Sequence, residues 1–184
     1  MIYQKKEFIL KDGTKAVFKT PEISDAKQLL NHIKLVAAST DFITRTPEDF
    51  TDDVSKEEAF IVSRRESNCV YICAYVKDVI IGCCEMNFGN LIKNRHRASI
   101  GIAIQKEYQN KGLGSLLFDE MIRIAKEKNG IELIELDGGV ISTNLLAKHL
   151  YSKKGFVKTG DIPKQLKLKD GTYLDGESMV LFLK

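Results

Sequence analysis

No stretch of this chain is apolar for long enough to cross a membrane, and its first residues, Met1-Ile2-Tyr3-Gln4-Lys5-Lys6-Glu7, lack the hydrophobic core of a secretory signal. Neither a membrane span nor export is expected, and the expected compartment is the cytoplasm. A concentrated excess of one charge is missing too. Lys and Arg number 28 against 25 Asp and Glu, a net +3 with the two signs interleaved, so no nucleic-acid surface is expected. The cysteines Cys69, Cys73, Cys83 and Cys84 form no Cys-x-x-Cys pair and have no histidine close by, which argues against zinc and for reduced core thiols. Repeats, linkers and low-complexity tracts are absent. With 184 residues, 43% of them hydrophobic, the chain is expected to fold as one domain over 1–184.

What the chain does contain is a strand, a glycine-bearing loop and a helix in direct succession. Ala98-Ser99-Ile100-Gly101-Ile102-Ala103-Ile104 has the β-branched, small-residue alternation of a buried strand. Gln109-Asn110-Lys111-Gly112-Leu113-Gly114 follows, and from Ser115 the apolar residues 117, 118, 121, 122 and 125 recur at helical spacing. Two glycines let a backbone approach a ligand, and the unpaired N–H groups of the first helical turn favour an anion there. Lys111 adds a mobile positive charge. The expected ligand group is a phosphate. Gly114-Ser115-Leu116 does not supply the Gly-Lys-Ser/Thr of a Walker loop. A dinucleotide fingerprint would want a third glycine where Leu117 stands, although Asp137 is placed tolerably for a ribose-binding acid.

A second motif lies about thirty residues on. Asn144-Leu145-Leu146-Ala147-Lys148-His149-Leu150-Tyr151-Ser152-Lys153-Lys154-Gly155-Phe156 is a helix capped by Thr143 or Asn144 and ended by Gly155. Together, the Gln-x-x-Gly-x-Gly loop and this Asn-x-x-Ala-x-x-Leu-Tyr-x-Lys-x-Gly-Phe helix resemble the Gcn5-related N-acetyltransferases, the GNAT family. The resemblance implies a mixed α/β fold. Its central sheet is mixed and largely antiparallel, splayed at the cofactor site and flanked by helices. The order of elements agrees: hairpins over 7–19 and 70–88, helices over 24–36 and 47–66 (the second broken near Thr51), a strand over 131–137, and a terminal pair, 165–169 with 177–183.

The resemblance also implies an activity and its residues. Acetyl-CoA would be the cosubstrate, its pyrophosphate on Gln109, Asn110, Lys111, Gly112, Leu113, Gly114 and Ser115. Its arm would lie on the backbone of Ile102, Ala103 and Ile104, with Asn144 contacting the arm and Lys153 a further phosphate contact. Tyr151 would be the general acid. The general base is open, because Ser99 stands where many members carry a glutamate; Glu85, Glu135, Asp137 or a chain of waters remain. His149 falls on another helix face and is expected at the surface. The implied function is transfer of acetyl to a primary amine of a small molecule by direct attack in a ternary complex, in a monomer or homodimer. A longer acyl-CoA, a non-catalytic acyl-CoA sensor and an NAD-binding oxidoreductase are the rivals. Glu48, Asp49, Asp52, Asp53, Glu57 and Glu58 crowd the segment that would wall the acceptor side, a field that favours a cationic amine; a solvated acidic helix start would look the same.

Overall fold

A computed structural model of the protein describes residues 1–183. Among these residues nine strands form one sheet: β1 (Lys6–Ile9), β2 (Lys15–Lys19), β3 (Cys69–Val76), β4 (Val79–Phe88), β5 (Arg97–Ile104), β6 (Leu133–Leu136), β7 (Val140–Ile141), β8 (Val157–Lys167) and β9 (Tyr173–Phe182). Four α-helices cover it: α1 (Ala26–Ser39), α2 (Val54–Glu66), α3 (Leu113–Glu127) and α4 (Leu145–Lys153). The strand order is β1-β2-β3-β4-β5-β6-β9-β7, with β8 also on β9. Every pair is antiparallel except β5 with β6.

Hydrophobic pattern decides which strands sit centrally. β3 is buried along nearly its whole length, as a strand covered on both faces must be. Lys77 and Asp78 join it to β4 with φ of 47° and 62°, the doubly left-handed turn whose twist matches a hairpin. Side-chain alternation then sends Cys84 to one face and Cys83 to the other. Ile72, Cys84, Met86 and Ile100 pack with Leu117, Phe118 and Met121 of α3 on the first face. Tyr71, Cys73 and Cys83 pack with Leu29 of α1 and Ile61 of α2 on the second. All four cysteines are buried free thiols.

Most expected elements form, the break near Thr51 in the second helical region among them. The second helical region is a 3₁₀ turn, Pro47–Asp49, followed by α2, broken where Thr51 stands. The terminal hairpin is longer than periodicity indicates, since β8 begins at Val157 rather than near residue 165. β7 has two residues, too few for any pattern to register.

The sheet is not continuous between β5 and β6. Their parallel register runs from Arg97↔Leu133 to Ile100↔Leu136, and the last bond is from Asp137 N–H to the Ile100 carbonyl at 2.9 Å. Gly138 and Gly139 then both take positive φ (67° and 79°) and turn the chain away to β7. Beyond Ile100, therefore, β5 has a neighbour only on its β4 side. Gln105 N–H donates to the Ile81 carbonyl, and antiparallel alternation makes Ala103–Cys83 and Gly101–Glu85 the next bonded pairs. The peptide groups of Ile102 and Ile104 consequently face the opening.

α1 is locked to this region by a buried histidine. The Gln105 side-chain amide donates to the Ile80 carbonyl at 2.9 Å and to His32 Nδ1 at 3.2 Å. His32 Nε2 completes no hydrogen bond. Burial pushes the His32 pKa down to about 4, which the nearby Ala103 backbone offsets only in part. In the unfolded chain the same group titrates near ~6.5. Between those values the unfolded state binds more protons, so stability falls as pH drops through the window, by up to about 3 kcal/mol. Denaturant titrations near pH 7 and near pH 4.5 (both about) are expected to show this loss, and His32→Gln to shrink it. An unchanged loss in the variant would show that His32 is not its source.

Candidate active site

The loop after β5 is held in shape by two contacts and by its own backbone conformation. Gln109 Nε2 donates to the Ile104 carbonyl at 3.2 Å, tying the loop to the strand. Asn110 and Gly112 take left-handed φ of 61° and 87°, and Gly112 is the N-cap of α3. The turn of the β1–β2 hairpin braces the loop from outside: Lys11 N–H donates to the Lys111 carbonyl at 2.9 Å. The backbone N–H groups from Asn110 to Ser115 make no hydrogen bond within the described residues. They gather at the start of a fifteen-residue helix, whose dipole adds positive potential. This is an anion cradle.

Two expectations for the loop need correction. Lys111 is not a mobile charge: it pairs with Asp12 at 3.0 Å and lies 5.2 Å from the Tyr108 ring centre. Hydrogen bonds from Thr14 and the Lys111 ammonium hold the Asp12 carboxyl down at about 2. Gly114 makes its close approach to protein, not only to a ligand. A Cβ there would lie 3.0 Å from Leu150 Cδ2 and 3.3 Å from Ile104 Cδ1, so this glycine lets α3 settle against α4 and β5. Leu113 is a core residue beneath the cradle.

Tyr151 lies on the α3/α4 face of the sheet, 9% exposed, between the rings of Phe118 (5.3 Å) and Phe156 (5.9 Å). Burial, with Cys84 nearby, pushes its phenol well above the usual range, so it holds its proton at neutral pH. Asn144 is the N-cap of α4, its side-chain oxygen accepting from Ala147 N–H at 3.2 Å. His149 and Lys153 are exposed. Ala103 departs from expectation, since its peptide groups pair with β4 and its methyl faces the other side.

That other side holds a cavity of about 780 Å³ between α1, α2 and the sheet. Its floor is Tyr71, Cys83, Glu85, Gly101 and Ala103, and it reaches Ile102 and Asp137 at the β5–β6 opening. Glu85 is two-thirds out of water and 2.9 Å from Arg64 Nε, but the contact is poorly aligned and neither atom completes a hydrogen bond. Burial therefore raises the Glu85 pKa despite the guanidinium. Of the other base candidates, Asp137 lines the cavity and Glu135 does not, being paired with Arg97 on the strand. The sheet thus separates Tyr151 from Glu85, and the gap beyond Ile100 is where the two faces meet. A second hollow, of about 690 Å³, opens at the far end of β5 around Arg95, His96 and Lys128, away from the opening.

Arg64 and Phe60 were not foreseen as site residues. The signal was present in α2, where Asp53, Glu57, Phe60 and Arg64 recur at spacings of four, three and four and form one stripe into the cavity. A stripe that mixes charge with one aromatic does not stand out as amphipathic.

Residues 35–156 match the acetyltransferase (GNAT) family model. No curated protein matches the chain. Among solved structures, a GNAT-family acetyltransferase from Streptococcus pneumoniae is 27% identical with a TM-score of 0.82, covering 92% of this chain and 99% of that one. The yncA protein of Salmonella typhimurium with its cofactor acetyl-CoA is 20% identical (TM-score 0.77; 92% and 94% covered). The ribosomal-protein-S5-alanine acetyltransferase of Vibrio fischeri is 18% identical (TM-score 0.78; 98% and 97% covered). With the cradle, the opened sheet and the family match all in one chain, this protein belongs to the GNAT acetyltransferases, enzymes that draw their acetyl group from acetyl-CoA.

Proposed function

We propose that the protein, as one cytoplasmic domain over residues 1–184, moves acetyl from acetyl-CoA to a primary amine of a small molecule, by direct attack in a ternary complex. The observation that supports this reading is the opening beyond Ile100: Ile102 there lines the cavity that holds Glu85, on the strand that leads into the anion cradle. The unpaired N–H groups from Asn110 to Ser115 fit a pyrophosphate, and the peptide groups of Ile102, with the Ile104 N–H, fit an amide-bearing arm; the Ile104 carbonyl is already taken by Gln109. Acetyl-CoA supplies an activated acyl group as a thioester. An amine attacks only when neutral, yet a free one has a pKa near ~10.4. Glu85, with its pKa raised and a partner that leaves one oxygen unbonded, takes the proton. As the N–C bond forms the S–C bond breaks, Tyr151 gives its proton to the departing thiolate, and the second proton that the nitrogen loses on becoming an amide restores the Tyr151 phenol. The cavity between α1, α2 and the sheet has room for a small acceptor; the Vibrio fischeri relative, named for a ribosomal-protein alanine, sets the contrasting case.

A panel of small amines and an alanine-ended peptide, read by thiol release from acetyl-CoA and from longer acyl-CoAs, tests this. Thiol release with small amines is expected; release with the peptide alone would overturn the small-molecule reading. For the residues, Tyr151→Phe and Glu85→Gln are each expected to lower turnover about 10²-fold or more on a chemistry-limited reaction, with acetyl-CoA binding retained. The acid limb of the pH–rate profile should lie above the ordinary carboxylate range and vanish in Glu85→Gln. Survival of that limb would move the base to Asp137 or to water.

Gly112 gives the matching test of the cradle. A β-branched side chain at φ of 87° is strained and would also press on Lys11. Wild-type protein should gain about 2.7 kcal/mol of stability at a hundredfold excess of acetyl-CoA over its dissociation constant. Gly112→Val, once shown to be folded, should gain little. A full gain would place the phosphates elsewhere.

A further inference from the structure

The six carboxylates between residues 48 and 58 do not act as one field. Glu48 pairs with Lys169 at 2.6 Å and Asp52 with Lys34 at 2.5 Å. Asp49 accepts from Thr46 N–H at 2.7 Å, closing the 3₁₀ turn, and Asp53 accepts from Ser55 N–H at 3.1 Å as the N-cap of α2. Glu58 is exposed and outside the cavity. Glu57 differs from all of these. It lines the cavity, is about half out of water, and makes no ion pair or hydrogen bond among the described residues. Of the cations that line the same cavity, Arg64 is at Glu85 and over the Phe60 ring (4.7 Å), Arg45 lies over the Phe50 ring (5.3 Å) and its charge offsets only part of the effect of burial on Glu57, and Lys56 makes no ion pair with it among the described residues. A carboxylate held partly out of water without a partner is unfavourable, and a cation brought to it relieves that cost.

We propose that Glu57 binds a second, cationic nitrogen of the acceptor, so that the substrate class is a small diamine: one nitrogen reaches Glu85 at the opening while the other is held at Glu57 beside Phe60. This rests on the amine-acetyltransferase reading above and adds what lies at the far end of the acceptor. Glu57 precedes Arg64, the partner of Glu85, by seven residues, about 10 Å along the helix. Both carboxylates line the one cavity, so two nitrogens on a short alkyl chain would have a carboxylate each. The stripe of α2 thus grades from a charge anchor through an aromatic wall to the reacting end.

Cadaverine and pentylamine, which differ in the distal ammonium, separate the two readings. Wild-type protein should prefer cadaverine in kcat/KM, chiefly through KM. Glu57→Gln should reduce the cadaverine-to-pentylamine ratio about tenfold or more, since a charge-assisted contact is lost. Glu57→Asp, which keeps the charge on a shorter stem, should retain part of the preference and guards against a folding artefact. An unchanged ratio in folded Glu57→Gln, with cadaverine still acetylated, would overturn the role of Glu57 and leave the amine reading standing. Equal use of both amines by the wild type would do the same. Acetylation of neither, with other small amines acetylated, would overturn the diamine class and leave the amine reading standing; acetylation of no amine at all would overturn both.

Discussion

The whole site depends on β5 losing its neighbour halfway along its length. A parallel pair that had continued past Ile100 and Asp137 would have filled the peptide groups of Ile102 and Ile104 with ladder bonds and closed the sheet as a wall. Gly138 and Gly139 prevent this by turning left-handed in succession. The second has no room for a side chain, since a Cβ would stand 2.7 Å from the Glu177 carbonyl. Glu177 is itself fixed, buried and paired with Lys148 of α4 at 2.8 Å. The helix that carries Tyr151 and the turn that opens the sheet thus meet the same residue, one at its carboxylate and the other at its backbone carbonyl.

Charge in this molecule is arranged by pairing more than by field. Lys111 and Asp12 at the cradle, Arg64 and Glu85 at the cavity floor, and Lys148 and Glu177 behind the glycine turn each hold a functional segment in place. Of these the Arg64–Glu85 pair is the least satisfied, because proximity comes without alignment. A carboxylate that is close to a cation but poorly hydrogen-bonded, and mostly desolvated, is disposed to accept a proton. Full alignment would have made it a structural ion pair.

Local sequence carried the parts of this site that are local. The glycine loop, the helix from Leu113, the Asn144 cap and the buried run of β5 could be seen because spacing, caps and turn residues are short-range signals. Gly114 was only half visible: its use as a packing contact depends on Leu150, which approaches from another helix. The restraint on Lys111 comes from a residue about a hundred positions earlier and could not be read from its neighbourhood. β8 was hidden for another reason. Its polar run with Pro163 looks like a loop, and it forms a strand because it is an edge with register shifts around that proline, paired to the apolar β9. The acidic segment showed its charge in the sequence but not its partners, Lys34 and Lys169.

The hairpin turn against the phosphate loop has a consequence for where this enzyme begins as a working unit. The family match spans residues 35–156 and includes the cradle, Glu85 and Tyr151, but neither β1–β2 nor β8–β9. Yet Lys11 and Asp12 brace the loop from one side, and Glu177 braces the glycine turn from the other. The contacts that shape the loop and the opening therefore extend beyond the segment that matches the family. Its two flanking hairpins act as the jaws of a vice, and the chemistry sits in what they grip.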